Sequence, residues 1–355
     1  MKLNALPRVR LANLPTPLQE LPNLTKALKG PRIYVKRDDL TGLALGGNKT
    51  RKLEYLMADA IAKKADHIVT GAGFHSNWCT QAAAAARKLG MEITLIKTGP
   101  GEDYKPEEYD GNHLLHTLMG AEMQIVRPEN FKKALDETVE SLKESGHTPY
   151  VLLDAGSTPL GVAGYINAML ELESQSREIG VDFNYLVHAT GSGGTQAGLV
   201  LGAKALSLDT KIIGASTGGR KALEQVENVY RVISEASRAL GLNISVHKED
   251  VIVKDEYAGS GYGFVTEGKI EAVRMAAETE GLILDPVYTA TSMACLVDLC
   301  RKGFFTKSDS VVFLHTGGSA GLFPYRDCFK AYALGESLPW TIPPWSPASK
   351  NPKTE

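Results

Sequence analysis

The residues that decide the fold are 185–202, YLVHATGSGGTQAGLVLG, where an apolar run meets a glycine cluster and a helical pattern follows. The run YLVHATG (185–191) has the apolar and β-branched composition of a buried strand. The small and apolar residues of TQAGLVLG predict a helix directly after the glycines. A strand that passes through a short glycine turn into a helix is typical of an α/β protein with parallel strands.

The same alternation recurs along most of the chain. Helical patterns such as RKLEYLMADAIAKK, with Leu53, Leu56, Met57 and Ala60 on one face, separate short apolar runs. The alternation predicts open parallel sheets, which bind ligands at the carboxyl ends of their strands. The further strand candidates are HIVTG (67–71), EITLIKT (92–98), YVLLDAG (150–156), KIIGAST (211–217) and SVVFLHTGG (310–318).

The bulk composition is that of an ordinary globular protein. Among 355 residues, 43% are hydrophobic and 23% are charged, with a formal net charge of −2, so nothing favours a nucleic-acid partner. No apolar run approaches the ~20 residues that cross a bilayer, and residues 1–19 lack the apolar core of a signal peptide. We therefore expect a cytoplasmic protein with no membrane partner. The four cysteines form no C-x-x-C pair, so we expect reduced thiols and no metal site.

The first glycine-rich segment, TGAGFHSNWCTQ, follows a strand candidate and opens a helix. Gly71-x-Gly73 suggests a dinucleotide turn, but Ser76 occupies the sixth position, where that fingerprint needs glycine or alanine. An NAD(P)-binding oxidoreductase is therefore a poorly supported alternative. Ser76 suits a helix N-cap, and its hydroxyl, with the free amides of Asn77 and Trp78, can also hold a small carboxylate.

The second segment places Gly191, Ser192, Gly193, Gly194 and Thr195 between a strand and a helix. The dinucleotide spacing fails here as well. What remains is a nest of backbone amides with two hydroxyls at a helix N-terminus, an arrangement that suits a single phosphate. A plain strand-to-helix turn is the alternative, but such a turn requires fewer small residues.

A third glycine-rich segment, FLHTGGSAGLF (313–323), also comes after a strand candidate. Thr316 and Ser319 can face a ligand, or they can simply end the strand and cap the next element. By itself this segment does not distinguish the two interpretations.

The stretch LALGGNKTRKLEYL (43–56) puts Lys49 at the start of a helix, where a cation is disfavoured by ~0.3–1 kcal/mol. Pyridoxal phosphate combines a single phosphate with the need for a lysine amine. Positive neighbours lower the pKa of a lysine, so Arg51 and Lys52 would suit that role for Lys49. A solvated surface lysine is the alternative.

Six segments in chain order carry a family resemblance: VKRDDLTGLALGGNKTRKLEYL, GFHSNWCTQ, GSGGTQAGL, GSGYGF, LDPVYTATSMACL and FLHTGGSAGLF. Together they resemble the D-cysteine desulfhydrase and 1-aminocyclopropane-1-carboxylate deaminase family, from Thr16 to about Phe323. The resemblance implies the α/β, tryptophan-synthase-β-like fold (fold type II) of pyridoxal-phosphate enzymes, and a homodimer. It also implies three regions: a larger cofactor-binding domain (1–50 and 165–335), a smaller inserted α/β domain (51–164) and a proline-rich tail (336–355).

Carried over position by position, the resemblance assigns roles to the site residues. Lys49 would be the Schiff-base lysine and proton shuttle, Ser76 would lie beside the substrate carboxylate and amine, and Asn77 would hydrogen-bond the ring oxygen of the cofactor. Tyr262 and Tyr288 would take part in proton movement, although each can also be read as an ordinary half-buried aromatic. The remaining cofactor-binding residues would be Lys52, Gly191, Ser192, Gly193, Gly194 and Thr195 at the phosphate, with Thr289 and Thr316 elsewhere.

Departures from the family pattern bear on the substrate. Thr289 stands where the cyclopropane-opening deaminases have a glutamate that keeps the cofactor ring nitrogen protonated, and a neutral residue is better matched to β-elimination. His75 and Trp78 flank the expected substrate position and also depart from the pattern. A cationic His75 would recognise an anionic β-group such as a sulfonate, whereas a neutral loop histidine would not.

The sequence therefore predicts a pyridoxal-phosphate-dependent lyase or deaminase acting on a small β-substituted α-amino acid, with D-cysteine giving pyruvate, ammonia and sulfide. Alternatives with the same cofactor are a cysteate sulfo-lyase that releases sulfite and a 1-aminocyclopropane-1-carboxylate deaminase. A non-catalytic cofactor-binding protein would keep Lys49 and the phosphate loop, but the presence of Ser76, Tyr262 and Tyr288 argues against it.

Overall fold

The apolar runs form two sheets with helices packed on their faces. A computed structural model describes residues 5–101, 104–105 and 109–348. The strands are β1 (Leu18–Glu20), β2 (Arg32–Lys36), β3 (His67–Gly73), β4 (Glu92–Thr98), β5 (Glu122–Val126), β6 (Pro149–Leu152), β7 (Tyr185–Thr190), β8 (Lys211–Ser216), β9 (Ile252–Lys254) and β10 (Ser310–Leu314). The helices are α1 (Pro22–Leu28), α2 (Lys49–Ala62), α3 (Asn77–Lys88), α4 (Gly111–Leu118), α5 (Phe131–Glu144), α6 (Pro159–Ile179), α7 (Gly194–Ala205), α8 (Ala222–Ala239), α9 (Glu267–Glu280), α10 (Thr289–Arg301) and α11 (Arg326–Leu334).

The larger sheet has the strand order β1-β2-β10-β7-β8-β9, and the smaller sheet has the order β5-β4-β3-β6. Neighbouring strands are parallel, except that β1 runs antiparallel to β2. Parallel strands covered on both faces need apolar residues throughout, and every residue of β10 is buried. The register sets Val312 between Tyr34 and Leu186. The predicted α/β fold with parallel sheets is confirmed.

Some strand boundaries differ from the sequence predictions. The predicted strand YVLLDAG stops at Leu152, because Asp154 and Ala155 adopt φ angles of 50° and 49° in a 3₁₀ turn. SVVFLHTGG is a strand only to Leu314, and HIVTG continues to Gly73. The strands β1, β2, β5 and β9 were not predicted. Three of these lie at sheet edges, where mixed polar and apolar residues weaken the pattern.

The smaller sheet takes all its strands from residues 67–152, while the strands of the larger sheet end before residue 37 or begin after residue 184. Both proposed domain boundaries, at 50/51 and 164/165, fall inside helices, in α2 and α6 respectively. The division of the chain into those domains therefore stays a prediction. Across the described residues, every helix is too short or too polar to cross a bilayer.

A buried ion network joins β2, α2 and α6. Arg51 donates from Nε and Nη2 to the two carboxylate oxygens of Asp38, both at 2.8 Å, and from Nη1 to Glu171 at 2.9 Å. Lys36 also donates to Glu171, at 2.5 Å, and Tyr165 donates to Asp38 at 2.6 Å. The charge of Arg51 is thus neutralised inside the fold, and the start of α2 is held at a fixed position between the sheets.

Candidate active site

A cavity of 330 Å³ lies where the carboxyl ends of strands from both sheets face the N-termini of α2, α3 and α7. Parallel α/β sheets bind ligands at this edge, and the volume suits a small organic cofactor. The described residues that line the cavity are Asn48, Lys49, Ala72, Ser76, Asn77, Trp78, Ala155, Ala189, Thr190, Gly191, Ser192, Gly193, Thr195, Thr217, Gly218, Arg220, Tyr262, Tyr288 and Thr316.

Eleven sequence-predicted site residues from distant parts of the chain therefore meet at one cavity. Four others do not line it: Lys52, His75, Gly194 and Thr289. Each of these four has a different environment.

The loop before Lys49 is shaped by glycines. Gly46 and Gly47 have φ angles of 75° and 136°, and a Cβ at Gly46 would lie 1.9 Å from the carbonyl oxygen of Asp39. Gly47 forms an isolated antiparallel bridge with Gly317, which holds the loop against the segment that follows β10. The chain then enters α2 with Lys49 as its first residue, at the cavity wall.

Burial lowers the pKa of the Lys49 amine to about 8. The neighbouring charges of Arg51 and Lys52 were predicted to cause this effect, whereas burial is its main cause. Arg51 is neutralised by buried carboxylates, and the shift of Lys49 comes from loss of hydration. The amine has a much larger uncharged fraction at neutral pH than an exposed lysine, so it is suited to attack a carbonyl.

Lys52 lies one turn further along α2. Its Nζ atom is buried without a hydrogen-bond partner among the described residues. Burial, and then the charge of Lys49, lowers the pKa of Lys52 well below its usual value. An unpartnered buried ammonium is costly, so this nitrogen fits a site that receives an anion.

The turn into α7 adds donors for such an anion. Gly193 has a φ of 91° and directly precedes the helix, whose N-terminal amides carry partial positive charge. The amide of Gly194 donates to Ser157 Oγ at 3.0 Å, and its predicted contact with the phosphate stays a prediction. Ser157 in turn donates to Ser192 at 2.7 Å. A helix N-terminus together with the orphaned ammonium of Lys52 fits one phosphate group.

The opposite wall is formed by the start of α3. Ser76 is the N-cap, as predicted, and its Oγ accepts a hydrogen bond from the amide of Cys79 at 3.3 Å. Trp78 is buried and donates from its indole nitrogen to Thr70 Oγ1 at 2.8 Å. A Cβ at Gly156 would lie 2.9 Å from the Trp78 ring, so glycine allows that loop to close over the indole. Trp78 is therefore a fixed wall.

Two tyrosines meet on a third side of the cavity. The hydroxyls of Tyr262 and Tyr288 are 2.7 Å apart. Desolvation raises the pKa of Tyr262 to about 12, against a lowering by its hydrogen bond to Tyr288. Desolvation, with Tyr262 beside it, raises the pKa of Tyr288 well above its usual value. Both groups therefore keep their protons at neutral pH and can act as donors.

Thr289 follows Tyr288 but points elsewhere. It is fully buried, and its hydroxyl donates to Asp285 Oδ1 at 2.7 Å. The Asp285 carboxylate also accepts from the amides of Val287, Tyr288 and Thr289 at 2.8 to 3.0 Å. Thr289 thus belongs to the turn that opens α10, and its predicted contact with the cofactor stays a prediction.

His75 lies behind the cavity wall. Its ring contacts Phe74 and Trp345 edge-on, with centroids 5.0 and 4.6 Å apart. Burial, together with the positive charge of Lys97 and with His113, lowers the pKa of His75 to about 3. The neutral interpretation of His75 is therefore favoured, and recognition of a sulfonate by a cationic His75 stays a prediction. Trp345 also shows that the proline-rich tail reaches the loop behind the site.

Gly71 and Gly73 do not form a dinucleotide turn. Both belong to β3, where they pair with Ile96 and Thr98 of β4. A Cβ at Gly71 would lie 2.0 Å from the carbonyl oxygen of Ile96, so close strand packing accounts for this glycine. The NAD(P) alternative is therefore wrong.

Several lining residues were not predicted from the sequence. Asn48 donates to Thr195 Oγ1 at 3.1 Å and so ties the lysine loop to the start of α7. Thr217 and Arg220 follow β8, and Arg220 donates to the carbonyl of Gly191 at 3.1 Å. The sequence did contain a signal for Thr217 and Arg220, because TGGR (217–220) follows a strand as the other glycine-rich loops do.

The described residues hold no group of three His, Cys, Asp or Glu side chains that could bind a metal ion. All four cysteines are buried and free.

Comparison with known proteins gives consistent matches. The family model "Pyridoxal-phosphate dependent enzyme" matches residues 9–317. The chain is 38% identical over 326 residues to the D-cysteine desulfhydrase of Klebsiella pneumoniae (strain 342), covering 91% of this chain and 98% of that one. It is 37% identical over 328 residues to the 1-aminocyclopropane-1-carboxylate deaminase of Rhizobium leguminosarum bv. viciae, covering 89% and 95%. A crystal structure of an ACC deaminase homologue, 39% identical, superposes with a TM-score of 0.84 over 93% of this chain and 97% of that one.

Proposed function

The chain belongs to the pyridoxal-phosphate-dependent enzyme family, in the group of D-cysteine desulfhydrases and 1-aminocyclopropane-1-carboxylate deaminases, and we propose that it is a β-eliminating lyase whose substrate is D-cysteine. Its cofactor is pyridoxal phosphate. When bound, the cofactor supplies an aldehyde that a lysine amine can hold and a ring that accepts electron density from the substrate α-carbon.

Lys49 is the residue that holds the aldehyde. Its amine lines the cavity, and its pKa of about 8 leaves a reactive uncharged fraction at neutral pH. The same amine would be placed to remove the α-proton of a substrate bound in this cavity. Lys52 Nζ and the amides that follow Gly194 at the start of α7 would hold the phosphate, which would supply the counter-charge that Lys52 lacks.

Ser76 and the tyrosine pair act on the substrate. The Ser76 hydroxyl and the first amides of α3 orient the substrate carboxylate at a helix N-terminus. Tyr262 and Tyr288 retain their protons, so the pair gives a proton to the departing sulfur and does not act as the initial base.

The observation that carries this proposal is the chemistry of the cavity wall. Lys49 and the Tyr262–Tyr288 pair face the same cavity, and none of its described lining residues is Asp or Glu. Among the described lining residues, none offers a carboxylate that would keep the ring nitrogen of a bound cofactor protonated. The cofactor would then supply a moderate electron sink, which is sufficient when a good β-leaving group departs.

The balanced reaction is D-cysteine plus water giving pyruvate, ammonia and hydrogen sulfide. The α-C–H, C–S and C–N bonds break, the β-carbon gains a proton to become a methyl group, and the oxygen of water becomes the keto oxygen. Purified protein reconstituted with pyridoxal phosphate should release sulfide and pyruvate in equal amounts from D-cysteine, and Lys49→Ala should release neither. A reconstituted wild-type protein that binds the cofactor but leaves D-cysteine intact would contradict the substrate assignment.

A 1-aminocyclopropane-1-carboxylate deaminase is the second candidate, because relatives of nearly equal similarity carry each name. Ring opening of that substrate yields ammonia and a keto acid without sulfide. Equal enzyme concentrations assayed with the two substrates separate the candidates. We expect kcat/KM for D-cysteine to be at least tenfold higher, since each tenfold preference needs only ~1.4 kcal/mol of transition-state stabilisation.

His75 gives no support for cysteate as the substrate, because its side chain is neutral and does not line the cavity. Assembly as a homodimer is implied by the family resemblance, a cytoplasmic location was expected from the sequence composition, and both stay predictions. Light scattering of the purified protein tests the dimer directly.

A further inference from the structure

Asn112 lies in α4, outside the main cavity, yet it contacts the loop that carries the site. Its side chain is 1% exposed. Its Nδ2 donates to Asn77 Oδ1 at 2.7 Å and to the backbone carbonyl of His75 at 3.0 Å. Its Oδ1 accepts from the hydroxyl of Thr80 at 2.8 Å. Every polar atom of this side chain is therefore used to hold two residues of α3 and one residue of the preceding loop.

The orientation of both amides follows from these partners. A backbone carbonyl only accepts hydrogen bonds, so the Asn112 atom that faces the carbonyl of His75 must be the nitrogen. That same nitrogen also faces Asn77, so the Asn77 atom beside it must be the oxygen. The Nδ2 of Asn77 is then directed away from Asn112, over Gly318. A Cβ at Gly318 would lie 2.3 Å from that nitrogen, so glycine leaves it the space it occupies.

A third residue fixes the direction of the remaining bond. Thr80 Oγ1 also lies 2.9 Å from His116 Nε2, in a buried pair. The Thr80 hydroxyl has one hydrogen and two oxygens that can only accept it, Asn112 Oδ1 at 2.8 Å and the carbonyl of Ser76 at 3.4 Å, and the shorter bond goes to Asn112. His116 must therefore donate from Nε2, leaving its buried Nδ1 as an unpartnered acceptor. The hydrogen bonds run in one direction, from His116 through Thr80 to Asn112, and Asn112 then donates to Asn77.

We propose that Asn112, supported by Thr80 and His116, is a positioning residue that holds the Asn77 amide with its Nδ2 donor facing the ring oxygen of bound pyridoxal phosphate. This inference rests on the proposed function, together with the contact between Asn77 and the ring oxygen that the family resemblance implies. Hydrogen bonds that run in one direction polarise one another, so the chain also strengthens the last donor. Without Asn112, the Asn77 amide can rotate and present its oxygen to the cofactor.

The inference predicts a spectroscopic change. A donor at the ring oxygen stabilises the negative charge of that oxygen. Without the donor, the oxygen would hold more strongly the proton of the adjacent nitrogen that joins the cofactor to the lysine, and the pKa of that nitrogen would rise. The pKa read from a pH titration of the visible absorption band should rise by about 1 unit in Asn112→Asp and Asn112→Leu. The same variants should bind pyridoxal phosphate about tenfold more weakly, measured by quenching of tryptophan fluorescence.

Two further variants make the test decisive. Thr80→Val removes only the hydroxyl that orients Asn112, and it should raise the same pKa by a smaller amount if Asn112→Leu does not fold. Gln124→Leu is the matched control, because that amide is exposed in β5 and donates to Thr138 Oγ1 at 3.0 Å. In Gln124→Leu, the pKa of the visible absorption band and the affinity for pyridoxal phosphate should equal those of the wild type.

The failures are distinguishable. If folded, cofactor-loaded Thr80→Val and Asn112 variants keep both the wild-type pKa of the band and the wild-type affinity, the positioning role is wrong and the proposed function stands. If the wild type forms no visible band with pyridoxal phosphate, the proposed function itself fails.

Discussion

The phenolic oxygens of Tyr262 and Tyr288 lie 2.7 Å apart at the wall of the cavity, although 26 residues separate them along the chain. Tyr262 lies in the loop between β9 and α9, and Tyr288 lies directly before α10. Asp285 fixes Tyr288, because its carboxylate accepts a hydrogen bond from the Tyr288 amide at 2.8 Å. Both phenols keep their protons at neutral pH, so the hydrogen-bonded pair can donate one proton to a leaving group.

Removing either hydroxyl should therefore impair catalysis. We expect Tyr262→Phe and Tyr288→Phe each to lower kcat by about 10²–10⁴-fold, the range for loss of a general acid. The double variant should be little worse than the single ones, because the pair acts as one unit. Steady-state rates of sulfide release give the measurement. Tyr150→Phe is the control, because that hydroxyl donates to Asp59 away from the cavity, and a comparable loss there would contradict the assignment.

Capture of the cofactor should depend on pH through Lys49. Only the uncharged amine attacks an aldehyde, and the pKa of Lys49 is about 8. The rate at which the apoprotein binds pyridoxal phosphate covalently should rise about tenfold per pH unit below pH 8 and level off above it. Stopped-flow absorbance follows the rate. Lys63→Ala, at the exposed end of α2, should leave the profile unchanged, and a profile that still rises steeply beyond pH 9 would exclude this amine.

Acid stability should depend on Glu171. Burial opposes its ionisation, but Arg51 and Lys36 outweigh burial and lower the pKa of Glu171 to about 2. A carboxylate with a depressed native pKa stabilises the fold above its unfolded pKa, near 4.5, and this contribution is lost as the pH falls from there towards 2. We expect Glu171→Gln to lower the free energy of unfolding at pH 7 by ~3 kcal/mol.

Urea unfolding at pH 7, 4 and 3 provides the check. The difference between wild type and Glu171→Gln should shrink as the pH falls. Glu173→Gln, on the same helix with an exposed arginine partner, should change the free energy of unfolding by only ~0.5 kcal/mol. A Glu171 variant as stable as the wild type at pH 7 would show that the network adds nothing.

The loop that carries Tyr262 should depend on Lys269. This buried amine in α9 donates to the carbonyls of Ala258 and Phe264, both at 2.8 Å, on either side of the tyrosine. Burial lowers its pKa to about 8, so its charge is present below that pH and declines above it. Lys269→Met should loosen the loop and lower kcat about tenfold or more, since small misplacements of a catalytic group are costly.

The pH profile gives a second readout for Lys269. Wild-type kcat should fall as the pH rises through about 8, because Lys269 then loses the charge with which it holds the loop. In Lys269→Met, kcat should not show this fall at alkaline pH. Arg274→Met, at an exposed position of the same helix, is the control. Full activity of a folded Lys269→Met enzyme would show that catalysis does not depend on this anchoring of the loop.

Local patterns were enough to predict much of the fold and part of the site. Apolar runs followed by glycines marked the carboxyl ends of β3, β7 and β10, because a chain that turns sharply from a buried strand into a helix needs small residues there. Lys49 was found in the same way, from a glycine loop at a helix start. Edge strands such as β5 and β9 were missed, since partial exposure removes the apolar alternation.

The sequence by itself determined the parallel α/β fold, the glycine turns and the position of the lysine proposed to bind the cofactor, because these depend on residues adjacent in the chain. Only the tertiary structure decided the charge states. Arg51 is neutralised by Glu171, which is 120 residues away, and His75 is neutral because burial and Lys97 suppress its protonation. Hydration and charge are set by whatever packs against a group in space, and that neighbourhood cannot be read along the chain.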